Sequence, residues 1–177
     1  VQREPYAAAL TPDGSRLVVA NFLPYGPSNV WVRQAVVSII NTTTNRNEAE
    51  VKLTNGAQSV LDIAVSPDGR YAYAVHVRSN FTQTPLDKIE SGWINSNGFS
   101  IVDIKEMRLV NAVLLDDGRY GGASNPWAID CNEKYVMIVT AGSREIHVID
   151  RAGMDSTLER VGDSLSAETL VDDLTLS

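Results

Sequence analysis

The sequence has little of what usually announces a chemistry. Cysteine occurs once, at Cys131, which excludes an internal disulfide framework and a Cys-x-x-Cys-His haem attachment within these 177 residues. Histidine occurs twice, at His76 and His147, without an obvious third partner, which makes a poor case for zinc. No apolar run approaches the roughly 18 residues of a membrane helix, and no signal-peptide pattern is present, so no membrane span is expected. Positive charge is scarce and scattered. With 15 Lys and Arg against 22 Asp and Glu, the formal net charge is -7, which argues against nucleic acid as a partner. There is no Gly-x-Ser-x-Gly elbow and no Ser-His-Asp order, and Cys131 has no nearby histidine. Asp116-Asp117-Gly118 invites calcium but supplies only adjacent carboxylates, so an acidic turn is the expected reading.

What the sequence does have is a repeat. Tyr6 to Leu10 reads as a short strand, Thr11-Pro12-Asp13-Gly14 as a tight turn, and Leu17 to Asn21 as a Val-rich strand. A loop interrupted by Pro24, Gly26 and Pro27 follows, then a strand at Val36–Ile40, a polar turn and a half-exposed strand at Glu50–Leu53. The order returns 55 residues later with Ser66-Pro67-Asp68-Gly69 between strands at Val60–Val65 and Tyr71–Val75. A long polar insertion from Arg78 to Asn97 separates these from Phe99–Ile104 and Leu109–Leu115. In the third unit strands are expected at Trp127–Asp130, Tyr135–Thr140 and Ile146–Asp150, with Cys131 to Lys134 at the turn position. His147 alternates with Ile146 and Val148 and is expected to point away from the core. After Arg151 the pattern weakens, and Leu158 to Leu174 suits either a fourth strand or a short helix.

Four short strands per unit, with a Gly-bearing turn between the first two, is the signature of a propeller blade. The physical cause is that a four-stranded sheet with two apolar faces needs a neighbour on each. The expected fold is all-β, with about three four-stranded antiparallel blades at 5–53, 59–115 and 126–177, forming a fragment of a six- or seven-bladed propeller. An antiparallel sandwich is the alternative. The chain begins without Met inside the first repeat, as a piece of something longer would. Three blades would leave apolar faces and sheet edges open.

Pro5-Tyr6-Ala7, the Pro-Asp-Gly turns, Leu17-Val18-Val19-Ala20-Asn21 and the V-S-I-I-N, F-S-I-V-D and I-H-V-I-D strands resemble the YVTN-type β-propeller repeats of bacterial and archaeal surface and periplasmic proteins. That resemblance implies a periplasmic or extracellular location. The segments Gly92 to Asn97 and Asn125 to Ala128 resemble propeller domains that precede a cytochrome-c or di-haem peroxidase-like domain. Any haem would then belong to another domain, and no cofactor or metal is expected on this chain.

The candidate contact residues are His76, Arg78 and Asn80 at a strand end, with Tyr25, Trp31, Trp93 and Trp127 in or beside the loops. Aromatics among Gly, Asn and Ser suit protein hot spots or glycan stacking, and also loops packed on blade ends. Non-catalytic binding or scaffolding, recognising a protein or glycan through the inter-strand loops, is therefore expected; the alternative is a docking or sensor domain of a haem-containing redox enzyme whose catalytic domain lies outside these residues. A homo-dimer that completes the ring is a further expectation.

Overall fold

A computed structural model describes residues 1–27, 29–80, 86, 94–115 and 122–161. Among these described residues, eleven strands form three antiparallel sheets. The first contains β1 (Pro5–Leu10), β2 (Arg16–Asn21), β3 (Val36–Asn41) and β4 (Arg46–Lys52) in that order. The second contains β5 (Ala57–Val65), β6 (Tyr71–Ser79), β7 (Asn95–Asp103) and β8 (Arg108–Leu114), again in sequence order. The third contains β9 (Pro126–Cys131), β10 (Tyr135–Thr140) and β11 (Glu145–Asp150), followed by the helix α1 (Arg151–Val161).

The second sheet lies between the other two. Its inner strand β5 packs on both β1 and β9, whereas the outer strands β4 and β8 barely meet, so the sheets splay outward from a shared edge. Val18, Ala20, Val37 and Ile39 bury the first interface against Ile63, Ala72, Ala74 and Val102. Tyr73, Val75, Phe99 and Ile101 bury the second against Ile129, Val136, Ile138 and Ile149, with Met154 and Leu158 of α1 closing it. Both faces of the second sheet are therefore apolar, which is why its strands read as near-continuous hydrophobic runs. The arrangement is consistent with propeller blades.

The repeat extends to the backbone. The hairpins between β1 and β2, β5 and β6, and β9 and β10 close through Thr11 N–H to Arg16 O (2.9 Å), Ser66 N–H to Tyr71 O (2.8 Å) and Asn132 N–H to Tyr135 O (2.9 Å). In each, the opening side chain also accepts the closing residue's N–H: Thr11 from Arg16 at 3.0 Å, Ser66 from Tyr71 at 2.9 Å and Asn132 from Tyr135 at 2.8 Å. Asn132 thus preserves the turn although Pro-Asp-Gly is gone. Cys131, expected in that turn, is instead the last residue of β9. Upstream of each turn Glu4, Ser59 and Asn125 take φ of 54°, 52° and 57° at equivalent positions, where the chain swings into the inner strand.

The ends of the third strands diverge for a local reason. Asn41 accepts N–H groups from Thr43 and Thr44, and Asp103 accepts one from Glu106, each fixing a turn into the fourth strand. The equivalent Asp150 accepts Gly153 N–H at 2.8 Å and so becomes the N-cap of a helix. Arg151–Val161 is a helix, and the rest of the Leu158 to Leu174 stretch, for which a strand or a helix was expected, lies outside the described residues. Two other expectations are corrected. The insertion after Arg78 is shorter, because β6 runs to Ser79 and β7 begins at Asn95, the pairing continuing to Ser79 opposite Asn95. His147 faces the second sheet, and it is Ile146 and Val148 that point outward, because β11 pairs with β10 so that His147 lies opposite the buried Ile138.

Gly14 and Gly56 both need positive φ, but a Cβ on Gly14 would meet open space while one on Gly56 would lie 2.2 Å from the Ser79 carbonyl oxygen. Gly14→Ala should cost about 1 to 2 kcal/mol of unfolding free energy. Gly56→Ala should cost well beyond that, since the β5–β6 pairing must also move. Urea unfolding of the two variants should separate them clearly.

Candidate functional site

The connections gather at two ends. The turns β1–β2, β3–β4, β5–β6, β7–β8 and β9–β10 occupy one end of the sheets, and the β2–β3 loop, the short β4–β5 and β10–β11 connections and the N-terminal ends of β1, β5 and β9 occupy the other. Of the candidate contact residues described, Tyr25, Trp31, Arg78, Asn80 and Trp127 belong to that end of the sheets, and His76 lies buried beneath it. Trp93 lies outside the described residues, as do Asp116 to Gly118.

The loop β2–β3 is held rigidly at its base. Tyr25 and Gln34 form an isolated bridge, and the Gln34 side chain donates to Leu53 O at 2.7 Å. Asn55 organises the next layer. Its Oδ1 accepts Arg33 N–H at 2.8 Å, its Nδ2 donates to Trp31 O at 3.1 Å, and its own carbonyl accepts Arg78 Nε at 3.3 Å. Trp31 and Arg78, remote in sequence, are thereby brought to one residue. The Trp31 ring is left 78% exposed. Asn80 bonds back to β7 through Ile94 O and the Ser96 hydroxyl, closing the end of the β6–β7 pair.

Trp127 belongs to a second set that sequence reasoning divided. Two residues after the left-handed Glu4, Ser59 and Asn125 come Tyr6, Leu61 and Trp127, at equivalent positions on the three inner strands. Tyr6 and Trp127 are exposed, and Tyr6 leans on Phe22 with ring centroids 5.6 Å apart. The signal was available in the matching Pro5-Tyr6-Ala7 and Pro126-Trp127-Ala128 triplets. Beside them, Asp62 of β5 accepts Ile129 N–H of β9 at 2.9 Å and Ile63 N–H at 2.9 Å, fixing the two inner strands to each other.

His76 differs from the others because it is buried. It belongs to a polar pair that recurs on the second and third strands of every sheet. Asn21 Nδ2 donates to Ser38 Oγ at 3.0 Å, His76 Nε2 meets Ser100 Oγ at 2.8 Å, and Thr140 Oγ1 meets His147 Nε2 at 3.3 Å. Both histidines of the chain therefore stand at this one rung. In the second and third sheets the pair faces the preceding sheet; in the first, Gln2 N–H donates to Asn21 Oδ1 at 3.0 Å. His76 Nδ1 has no partner among the described residues. Burial, with the charge of Arg78 adding, pushes the His76 pKa down to about 4 from 6.5, so the ring is neutral at pH 7. A neutral, enclosed imidazole without a route to the surface supports the fold from beneath the loop face and does not present itself to a partner.

Cys131 is half-buried: its thiol donates to Val65 O at 3.2 Å and burial pushes its pKa up to about 11. That is the opposite of an activated nucleophile. Among the described residues no three His, Cys, Asp or Glu side chains converge as metal ligands would, and no helix is long and apolar enough to cross a membrane.

Comparison with known proteins adds a specific neighbour. The chain is 26% identical over 170 aligned positions to the hydrazine synthase subunit beta of Kuenenia stuttgartiensis, with 86% of this chain and 43% of that protein covered. It also superposes on a solved chain of the Kuenenia stuttgartiensis hydrazine synthase with a TM-score of 0.77 and 19% identity, over 98% of this chain and 49% of that one. The chain thus shares its fold with half of a hydrazine synthase chain and spans less than half the length of the curated relative. No protein-family model matches.

The depressed pKa of His76 gives stability a defined pH dependence. Above 6.5 the ring is neutral in both the folded and unfolded states. Between 6.5 and about 4 the unfolded chain takes up a proton that the folded chain excludes, so stability falls as pH falls. About 3 kcal/mol should be lost across that window. His76→Asn, which copies Asn21 of the first sheet, should remove most of this component, as urea titrations at stepped pH would report.

Proposed function

We propose that the three sheets are consecutive blades of a β-propeller and that this part of the chain is a non-catalytic docking module of a multi-subunit redox enzyme related to hydrazine synthase. The observation that carries the reading is the match across almost the whole chain to part of such an enzyme, in a protein whose loop face presents Tyr6, Trp31 and Trp127 to solvent.

The physical argument runs from rigidity to affinity. Trp31 is held at its backbone by Asn55, and Trp127 stands on a β-strand, so neither ring requires a loop to order on binding. Pre-organised aromatics of this kind concentrate binding energy. Val30, Val32 and Ile94 add exposed apolar surface on the same face, which favours a protein partner over a glycan. Redox chemistry belongs, in this reading, to haem-bearing domains or subunits elsewhere in the assembly. Export to the periplasm or beyond, and membership of the YVTN-type repeats, complete the proposal.

Trp31→Ala and Trp127→Ala should each weaken association with the other subunits of the complex by about 10-fold or more, a hot-spot effect. Surface plasmon resonance on the assembled subunits would measure this. The melting temperature should change little, because both rings are exposed. Unaltered binding in the double variant would count against the loop face as the docking surface.

A further inference from the structure

Asn55 and Gly56 stand in the short connection between β4 and β5, and the structure dictates both residues. Asn55 Oδ1 accepts Arg33 N–H at 2.8 Å while its Nδ2 donates to Trp31 O at 3.1 Å. The position therefore needs one acceptor and one donor on a short side chain, which a carboxamide supplies and a carboxylate does not. Gly56 takes a φ of +90°, and a Cβ there would lie 2.2 Å from the Ser79 carbonyl oxygen. Asn-Gly meets both demands. It is also the pair most open to attack of a main-chain nitrogen on the preceding side-chain amide, because glycine leaves that nitrogen unhindered.

Three hydrogen bonds keep the two groups from reacting, and all three run to the same short segment. Gly56 N–H is engaged by Arg33 O at 2.7 Å, and the Asn55 carboxamide is held by Arg33 N–H and Trp31 O. Lifting Trp31–Arg33 off the β4–β5 connection frees nitrogen and amide carbon together. The second Asn-Gly pair, Asn97–Gly98, is placed differently. Gly98 lies inside β7, paired with His76 of β6 and Leu114 of β8, so freeing it means opening the sheet.

We propose that Asn55 is a site of spontaneous deamidation, gated by the Trp31–Arg33 segment, and that its products hold that segment open. Gly56 N bonds to Asn55 Cγ, the Cγ–Nδ2 bond breaks, and ammonia leaves with the Gly56 amide proton. Water then opens the cyclic imide and returns a proton to the nitrogen. Cleavage of the new bond leaves aspartate, and cleavage of the original main-chain bond leaves isoaspartate. Aspartate sets a carboxylate oxygen against Trp31 O, acceptor against acceptor. Isoaspartate adds a backbone carbon, which also displaces Gly56 from Arg33 O and from the Ser79 N–H. On the docking reading, which this consequence alone rests on, Trp31 loses its rigid base and an ageing chain loses its partner.

Peptide mass spectrometry of the whole chain, incubated at mildly alkaline pH, would follow acid formation at each asparagine. Asn55 should convert at least about 10-fold more slowly in the folded chain than in urea, because local opening must come first, yet faster than folded Asn97. Gln34→Ala removes the side-chain bond to Leu53 O that seats the same loop. It should speed conversion at Asn55 by about 3-fold or more and leave Asn97 unchanged. Asn55→Asp, a copy of one product, should speed hydrogen exchange at the Arg33 and Gly56 amides by about 10-fold with far-UV circular dichroism unaltered. Equal rates at Asn55 in folded and unfolded chain would overturn the inference, as would earlier conversion at Asn97 or unaltered exchange in Asn55→Asp. Asn55→Asp should also weaken association with the other subunits as Trp31→Ala does. Unaltered association beside the expected rates would overturn that consequence alone and leave the deamidation site standing.

Discussion

A β-sheet that is apolar on both faces cannot stop at its own edges. Hydrophobic burial is non-directional and scales with area, so each such face demands a cover of equal extent. The second sheet meets that demand on both sides, with Val102 and Ala74 on one face and Phe99 and Tyr73 on the other. Among the described residues the first and third sheets each meet it against the second. Almost every other feature of the molecule, from the shared inner edge to Met154 and Leu158 of α1, derives from this requirement.

Apolar burial alone would leave the sheets free to slide, and the polar elements remove that freedom. The rung of Asn21–Ser38, His76–Ser100 and Thr140–His147 sits at one fixed depth between the second and third strands of each sheet. A one-residue slip would turn these side chains into the opposite apolar core and leave buried polar groups unpaired, a cost of about 1 to 3 kcal/mol each. Between sheets, Asp62 locks β5 to β9, and Arg151 holds Asp68 at 3.1 Å across from α1. Burial works against the Asp68 charge, yet the Ser66 hydroxyl, the Arg70 N–H and Arg151 together keep its carboxyl below the ordinary value. The first repeat has the same carboxyl with no such inter-sheet task. Asp13 is fully exposed and is pulled down to about 2 by Thr11 and Ser15 within its own turn.

The parts legible in the sequence were those governed by local rules. Alternation and Pro-Asp-Gly located all eleven strands within a few residues, because turn chemistry depends on the residues in the turn. Side-chain direction in β11 was not legible, since His147 faces inward only through its register with Ile138 on β10, a tertiary fact. The fate of Asp150 was equally hidden: an Asx residue fixes a turn or caps a helix according to the residues downstream of it, and Gly153 with Met154 and Leu158 turned it to a helix. Of the candidate contacts, Trp31, Arg78 and Trp127 lie at one end of the sheets, whereas His76 went beneath it. The strand was expected to end at Val75, whereas pairing carries it on to Ser79 and puts His76 inside it; an alternating strand places adjacent residues on opposite faces, and burial of either face is set by a neighbour the sequence does not name.

The same division explains where function can reside in such a molecule. Positions at the rung, the Asx turns and the two sheet interfaces are each answerable to a partner in every repeat, so substitution there is costly. The inner-strand entry is different. Tyr6, Leu61 and Trp127 each follow a left-handed residue by two places, and while Leu61 is half-buried the Tyr6 and Trp127 side chains project beyond the close-packed layers. The scaffold specifies where these side chains stand and imposes little on what they are. A surface built this way can change its partner by substitution at a few equivalent positions without disturbing the packing below, which is the property a docking subunit requires.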